Sequence, residues 1–368
     1  MRVTHLAGLL LTALLGSTAS AAEWDSIRGA TSTMGEPDDH WFLVHGRHSG
    51  YVVDGDEGQV KGLLTLSMFS PAMRPDLDAG MIYSYGSFYS RTYYGERTDA
   101  VLFFDTQTLM PVAEVVIPPK SAGIGHSGMI GLVDKRFIGV WNITPAMSVS
   151  VVDVQEREFV GEISTPGCAA VYPIGSGFLM PCGDGAMQYI ALGADGTETS
   201  RIRSERFFDV EVDPVFDYAV SAGDDWLFMS LEGVLWRVGL DDGAIQVERV
   251  MSIFKDEDEA AAWRIGGRQA FAYNEAAGLL TTLMHEGGGQ ETFEDAGTEI
   301  WGFSMATGKR GYRLELDTPT RGVQLTMDAR PLMIFSGDER LLHIHDGLSS
   351  AHKRTMKELG GGLIQPLQ

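Results

Sequence analysis

The chain has 368 residues, 50 of them acidic against 28 basic, for a formal charge of −22. That acidity disfavours nucleic acid or an anionic membrane as a partner. The two cysteines lack further Cys or His at matched spacing, which argues against a structural zinc site.

Residues 1–22 read as a secretory signal. Arg2 gives the charged start, Leu6 to Leu15 the short apolar core, and Ala19 to Ala22 the small-residue cleavage site. The core is too short to span a bilayer, so the mature chain is expected to be exported without membrane insertion. Residues 23–40 show no strand pattern and read as an N-terminal arm. The remainder, 41–368, reads as a single domain.

Within that domain one unit recurs seven times: an apolar run, a short polar turn and a second strand-like run. The copies begin near Tyr51, Leu102, Val149, Gln188, Leu235, Ile300 and Leu342. Asp54, Asp105, Asp153 and Asp346 each follow an apolar run directly. Asp-Gly pairs at Asp54, Asp184, Asp195 and Asp242 suit tight hairpins. A multi-strand repeat of about 40–50 residues marks a β-propeller, so the expected fold is all-β, with seven four-stranded blades. The tail from Gly360 is expected to pair with the first blade and close the ring, since open edges invite mispairing.

Cys168 and Cys182 flank two short strands around Gly175-Ser176-Gly177. In an oxidising compartment this even pair reads as one disulfide closing a hairpin. A helix is expected in Ser252 to Trp263, with Asp256 to Glu259 early, where carboxylates favour the positive end of the dipole, and Gly266-Gly267 as the stop.

Catalytic signatures are missing: no Gly-x-Ser-x-Gly elbow, phosphate loop or His-Glu-x-x-His occurs. His40, His45 and His48 form a loose cluster. His343 and His345 share one strand face, where two imidazoles could begin a copper or zinc site, but no third ligand adjoins them. The stretch Asp54-Gly55-Asp56-Glu57-Gly58 has the opening of a calcium loop without its later glutamate, so it reads as a solvated turn.

An ordered set of residues resembles the heavy chains of the tryptophan tryptophylquinone-dependent amine dehydrogenases. It starts with Ser90-Arg91, Gly95 and Arg97-Thr98-Asp99 before the strand Val101 to Phe104. Pro118-Pro119-Lys120, Asn142, Pro145-Ala146 and Val151 to Val154 continue it. Gly167-Cys168, Cys182-Gly183-Asp184-Gly185 and Leu192-Gly193 resemble the aromatic (aralkyl) branch more than the methylamine branch. Trp263, Gly266-Gly267 and Glu299-Ile300-Trp301 complete the set.

The resemblance implies a non-catalytic subunit. A heavy chain of this kind scaffolds a small, disulfide-rich light chain that carries the tryptophan tryptophylquinone cofactor. The light chain oxidises a primary amine to aldehyde and ammonia, and a periplasmic blue copper protein takes the electrons. Two heavy and two light chains, located in the periplasm, are the implied assembly, with no catalytic residue, metal or cofactor in this chain. The family also places a phenylalanine at the substrate channel. Along Gly62-Leu63-Leu64-Thr65-Leu66-Ser67 the ungapped position is Met68, with Phe69 one residue later. Phe69 is the candidate channel residue, and Met68 the alternative if no residue is gained; a plain core aromatic competes with this role for Phe69. A different reading of the whole chain is a stand-alone periplasmic binding or scaffolding propeller without amine dehydrogenase activity.

Overall fold

The computed structural model describes residues 33–46, 48–67, 69, 72–119, 127–144, 146–337 and 339–367. The signal segment expected at 1–22, most of the arm expected at 23–40, and Met68 lie outside the described residues.

Among the described residues five four-stranded antiparallel blades form. The first holds β1 (Trp41–His45), β2 (Ser49–Asp54), β3 (Gln59–Thr65) and the last strand of the chain, β28 (Ile364–Pro366). The second holds β4 (Met73–Asp76), β5 (Met81–Arg91), β6 (Tyr94–Asp105) and β7 (Pro111–Ile117). β8 (Ile130–Val133), β9 (Phe137–Asn142), β10 (Ser148–Asp153) and β11 (Glu158–Ser164) make the third. The fourth is β12 (Tyr172–Ile174), β13 (Gly177–Pro181), β14 (Met187–Leu192) and β15 (Glu198–Arg203). The fifth is β16 (Val215–Ala222), β17 (Asp225–Ser230), β18 (Val234–Asp241) and β19 (Ala244–Ser252).

The expectation of seven separate four-stranded blades is corrected by the rest of the chain. A single eight-stranded sheet runs through β20 (Arg264–Ile265), β21 (Phe271–Asn274), β22 (Leu279–His285), β23 (Gly297–Ser304), β24 (Lys309–Leu325), β25 (Leu332–Gly337), β26 (Leu341–Asp346) and β27 (His352–Lys357). The cause is β24, a strand of 17 residues that pairs with β23 by its first part and with β25 by its last. No turn interrupts it, so the two sequence copies near Ile300 and Leu342 share one hydrogen-bonded sheet. The fold remains an all-β propeller.

Each sequence copy is an outer hairpin, such as β2–β3 for Tyr51 or β10–β11 for Val149. The recurring Asp explains the turn. The Asp105 carboxylate accepts from Thr108 N at 2.7 Å and Thr108 Oγ1 at 2.8 Å. Asp153 accepts from Gln155 N at 2.9 Å and Glu156 N at 3.0 Å, and Asp346 from Ser349 N at 2.9 Å. Asp54 accepts from Glu57 N at 2.8 Å. These side chains bond their own backbone two or three residues on and fix the reversal. Lys61 lies 3.2 Å from Asp54 and also pairs with Glu57, so an ammonium sits where a calcium loop would hold its ion.

β28 pairs with β1 through Phe42↔Pro366, Leu43↔Gln365 and Val44↔Ile364. The side chain of Gln269 clamps this junction, donating to Ile364 O at 2.7 Å and accepting from Ile364 N at 2.9 Å. Gly362 is required just before it, because a Cβ there would fall 1.6 Å from His45 O.

Cys168 and Cys182 are bonded to each other and enclose the β12–β13 hairpin, with Cα atoms 4.0 Å apart. The predicted helix is shorter than expected, Asp256–Ala260. It ends well before Gly266 because Ala262 takes a φ of 52° and the chain reverses there, Ala262 N donating to Glu259 O at 2.9 Å and Trp263 N to Asp258 O at 3.0 Å. The Asp258 side chain turns inward, accepting from Lys255 N and from Arg310 Nη1, each at 3.0 Å. No helix among the described residues is long and apolar enough to cross a membrane.

Candidate functional site

The strands β5 and β6 have 11 and 12 residues, well beyond the reach of their neighbours β4 and β7 with 4 and 7. The excess forms a two-stranded ribbon that leaves the blade. Its register runs through Ser87↔Asp99, Phe88↔Thr98, Tyr89↔Arg97 and Arg91↔Tyr94. At the tip Thr92 takes a φ of 66°, and Tyr93 and Tyr94 are 59% and 63% exposed. Large aromatic side chains left in water on a built ribbon are a sign of an interaction surface.

A polar network stiffens the base of the ribbon. Arg97 grips Asp99 with both arms, Nε to Oδ1 at 2.7 Å and Nη2 to Oδ2 at 2.6 Å, and donates to Ser87 Oγ at 3.0 Å. The hydrogen bond to Asp99, itself buried, raises the Arg97 pKa further. Such forked charge-assisted pairs fix geometry as well as adding energy.

Phe69 stands on this base. Ser67 Oγ donates to the Ser87 carbonyl and accepts from Phe69 N at 3.1 Å. That tethers the loop after β3 to the ribbon. The Phe69 ring meets Tyr89 edge-on, with centroids 5.7 Å apart, and is 46% exposed. A core role for Phe69 is therefore excluded. The ribbon aromatics Phe88, Tyr93 and Tyr94 were not singled out from the sequence. Their signal was present, though: aromatic residues crowd a two-residue turn and its flanks, at Phe88, Tyr89, Tyr93 and Tyr94.

His343, His345 and His352 gather on one edge of the sheet, the rings of His345 and His352 5.1 Å apart and Thr355 Oγ1 between His343 and His352, whereas His40 lies elsewhere. His40 bonds Asp56 Oδ2 at 2.7 Å and the Arg330 carbonyl at 3.3 Å. His343 Nδ1 reaches Thr355 Oγ1 at 3.2 Å while its Nε2 is buried without a hydrogen-bond partner, and His345 Nδ1 reaches the Ser350 carbonyl at 2.9 Å. Among the described residues no group of three or more His, Cys, Asp or Glu could hold a metal ion.

A second aromatic–arginine cluster lies in the eight-stranded sheet. Arg310 covers the Trp301 ring at 4.2 Å and Arg313 covers Trp263 at 4.7 Å. Glu299 accepts from Arg313 Nε at 2.6 Å and Trp301 Nε1 at 2.6 Å. Burial pushes the Glu299 carboxyl up, but these two hydrogen bonds outweigh it and hold the group below its ordinary value. Trp301 is fully buried and Trp263 nearly so. The cluster is internally satisfied.

Residues 37–365 match the family model described as methylamine dehydrogenase heavy chain. This chain belongs to that family. The methylamine dehydrogenase heavy chain of Methylobacillus flagellatus is 24% identical over 316 residues, covering 84% of this chain and 78% of its own length. That of Methylorubrum extorquens is 25% identical over 322 residues, covering 85% and 77%. Two solved structures share the propeller fold. Dihydro-heme d1 dehydrogenase NirN in complex with DHE superposes with a TM-score of 0.55 at 17% identity, over 90% of this chain and 66% of that one. The Cps50 (Swd1) β-propeller domain of Myceliophteria thermophila gives 0.56 at 12% identity, over 87% and 93%. At these identities they speak to the fold alone.

Proposed function

We propose that this member of the heavy-chain family is the non-catalytic subunit of a periplasmic quinone-dependent amine dehydrogenase. It carries a small, disulfide-rich light chain in a two-plus-two assembly. The observation that carries the reading is the family match along 37–365 combined with an exposed aromatic ribbon built on the second blade. Tryptophan tryptophylquinone, in the light chain, would accept two electrons as a primary amine and water give aldehyde, ammonia and two protons. This chain's own residues hold and shape. Arg97, Asp99 and Ser87 fix the ribbon, Ser67 fixes the loop, and Phe69 presents its ring beside Tyr89 at the amine entrance. Met68, its neighbour in sequence, is the other candidate at that entrance.

The ribbon tip and Phe69 are the surface on which the light chain docks. Aromatic side chains supply large contact area there at low conformational cost. We further propose that a blue copper protein takes the electrons, and that aralkyl amines are preferred over methylamine. The motifs around Cys168 and Cys182 support that preference.

The test is isolation of the native assembly, followed by dye reduction with methylamine and with an aralkyl amine. The expected result is a small quinone-absorbing partner and amine-dependent reduction, both lost when this chain is separated from it. A chain that copurifies with no such partner and supports no amine oxidation is a stand-alone binding propeller instead.

A further inference from the structure

The inner strands surround a cavity of about 620 Å3 away from the ribbon tip. Its wall includes Tyr172, Tyr218, Val220 and Trp226 on one side and Arg74 on β4. Arg74 is the one basic residue among the described residues that line the cavity. Acidic residues outnumber basic ones by 50 to 28, and Arg97, Arg136, Arg203, Arg310 and Arg313 each hold a carboxylate. Arg74 holds none within ion-pair distance among the described residues, and its Nε is sealed from solvent without a hydrogen-bond partner.

The nearby acids are otherwise engaged. Asp78 pairs with Lys135, and Asp76 accepts from Ala79 N at 3.3 Å. Burial lowers the Arg74 pKa and the Asp76 charge offsets only part of that, yet a guanidinium keeps its proton in a protein. The residue as a whole is half-buried and lines the cavity, and a guanidinium there with no carboxylate partner is a ready site for an anion. Gln365 also lines the cavity. Its side-chain oxygen is taken by Met73 N at 3.4 Å, which leaves the amide NH2 as a further donor.

We propose that this cavity binds a small organic monocarboxylate, its carboxylate on Arg74 and its apolar body against Tyr218, Val220 and Trp226. With one cation in the wall and Asp76 beside it, a phosphate dianion would leave more charge uncompensated than a monocarboxylate does. The volume lies in the range of organic-ligand sites, and the aromatic wall favours an apolar body over a bare inorganic ion.

The experiment is calorimetric titration of the purified full chain with phenylacetate, its neutral isostere phenylacetamide, acetate and inorganic phosphate. Phenylacetate should bind saturably at one per chain, with phenylacetamide weaker by about tenfold or more. Arg74→Gln should weaken phenylacetate by a similar factor, and Arg74→Lys, which keeps the charge but not the fork, should fall between. Equal binding of acid and amide, unchanged binding in Arg74→Gln, tighter binding of phosphate, or no carboxylate binding at all would each overturn the proposal. Should Arg74→Gln fail to fold, the acid–amide pair on the native chain decides.

Discussion

The Trp263–Trp301 cluster and the Phe69–Tyr94 ribbon are made of the same materials, arginines set against aromatic rings, and reach opposite ends. In the first, every polar group closes on another: Glu299 on Arg313 and Trp301, Arg310 on Asp258. In the second, Arg97, Asp99 and Ser87 close only the base, and the rings of Phe69, Tyr93 and Tyr94 stay in water. Satisfied aromatic–arginine pairs hold a sheet together; rings left exposed on a stiff base are free to serve the docking role proposed for them. Residue type does not separate the two cases, whereas burial and hydrogen-bond closure do.

Substitutions can break this contrast. Trp301→Ala should cost about 3–5 kcal/mol, since it empties a fully buried site under two guanidinium groups. Urea midpoints measure it, and a cost below about 1 kcal/mol would remove the cluster from the structural side of the comparison. Replacing both Cys168 and Cys182 by Ala should cost about 2–4 kcal/mol, by loosening the unfolded chain, and leave partner binding unchanged. Thiol labelling of unfolded, unreduced protein should find no free thiol.

Asp105→Ala should cost about 1 kcal/mol through the lost turn bonds. Hydrogen bonds from Thr108 hold the Asp105 carboxyl below its ordinary value, and those from Ser349 do the same for Asp346. For Asp153 burial works the other way, but Arg136 and two backbone N–H groups prevail. These folded-state values are depressed, so the stability they contribute is complete above the ordinary Asp range near 4 and is lost as pH falls through the lowered values. Asp105→Asn keeps an acceptor without titrating and should flatten part of that acid limb. An unchanged limb in urea melts from pH 5 to pH 2 would count against the turn assignment. Phe69→Ala should be the mildest for stability, within about 0.5 kcal/mol, because the ring is already 46% exposed. Its effect belongs in substrate choice, shifting kcat/KM between small and bulky amines by up to roughly 1–3 kcal/mol. A large drop in melting temperature with unchanged preference would reverse that assignment.

The outer hairpins were legible in the sequence because they are built from local devices, in four of them an Asp that bonds its own turn. The Cys168–Cys182 hairpin was legible for the same reason, since its two halves are near in sequence. The blade count was not. Local patterning marks seven hairpins, but β24 continues through Thr318, Pro319 and Thr320 without reversing, and its pairing with both β23 and β25 joins what the repeat divides. Phe69 was reached only through a family resemblance. Its exposure, and the stacking of its loop on Ser87 and Tyr89, depend on two segments brought together by the blade. Arg74 gave no signal at all, because its place on the cavity wall without a carboxylate partner exists only in the fold.

The most direct measurement is hydrogen–deuterium exchange on this chain alone and within its native assembly. The account predicts that protection gained on assembly concentrates on the ribbon from Phe88 to Arg97 and on the loop carrying Phe69, while Trp263 to Arg313 is equally protected in both. Protection gained around Trp263 to Arg313, with the ribbon unchanged, would contradict it.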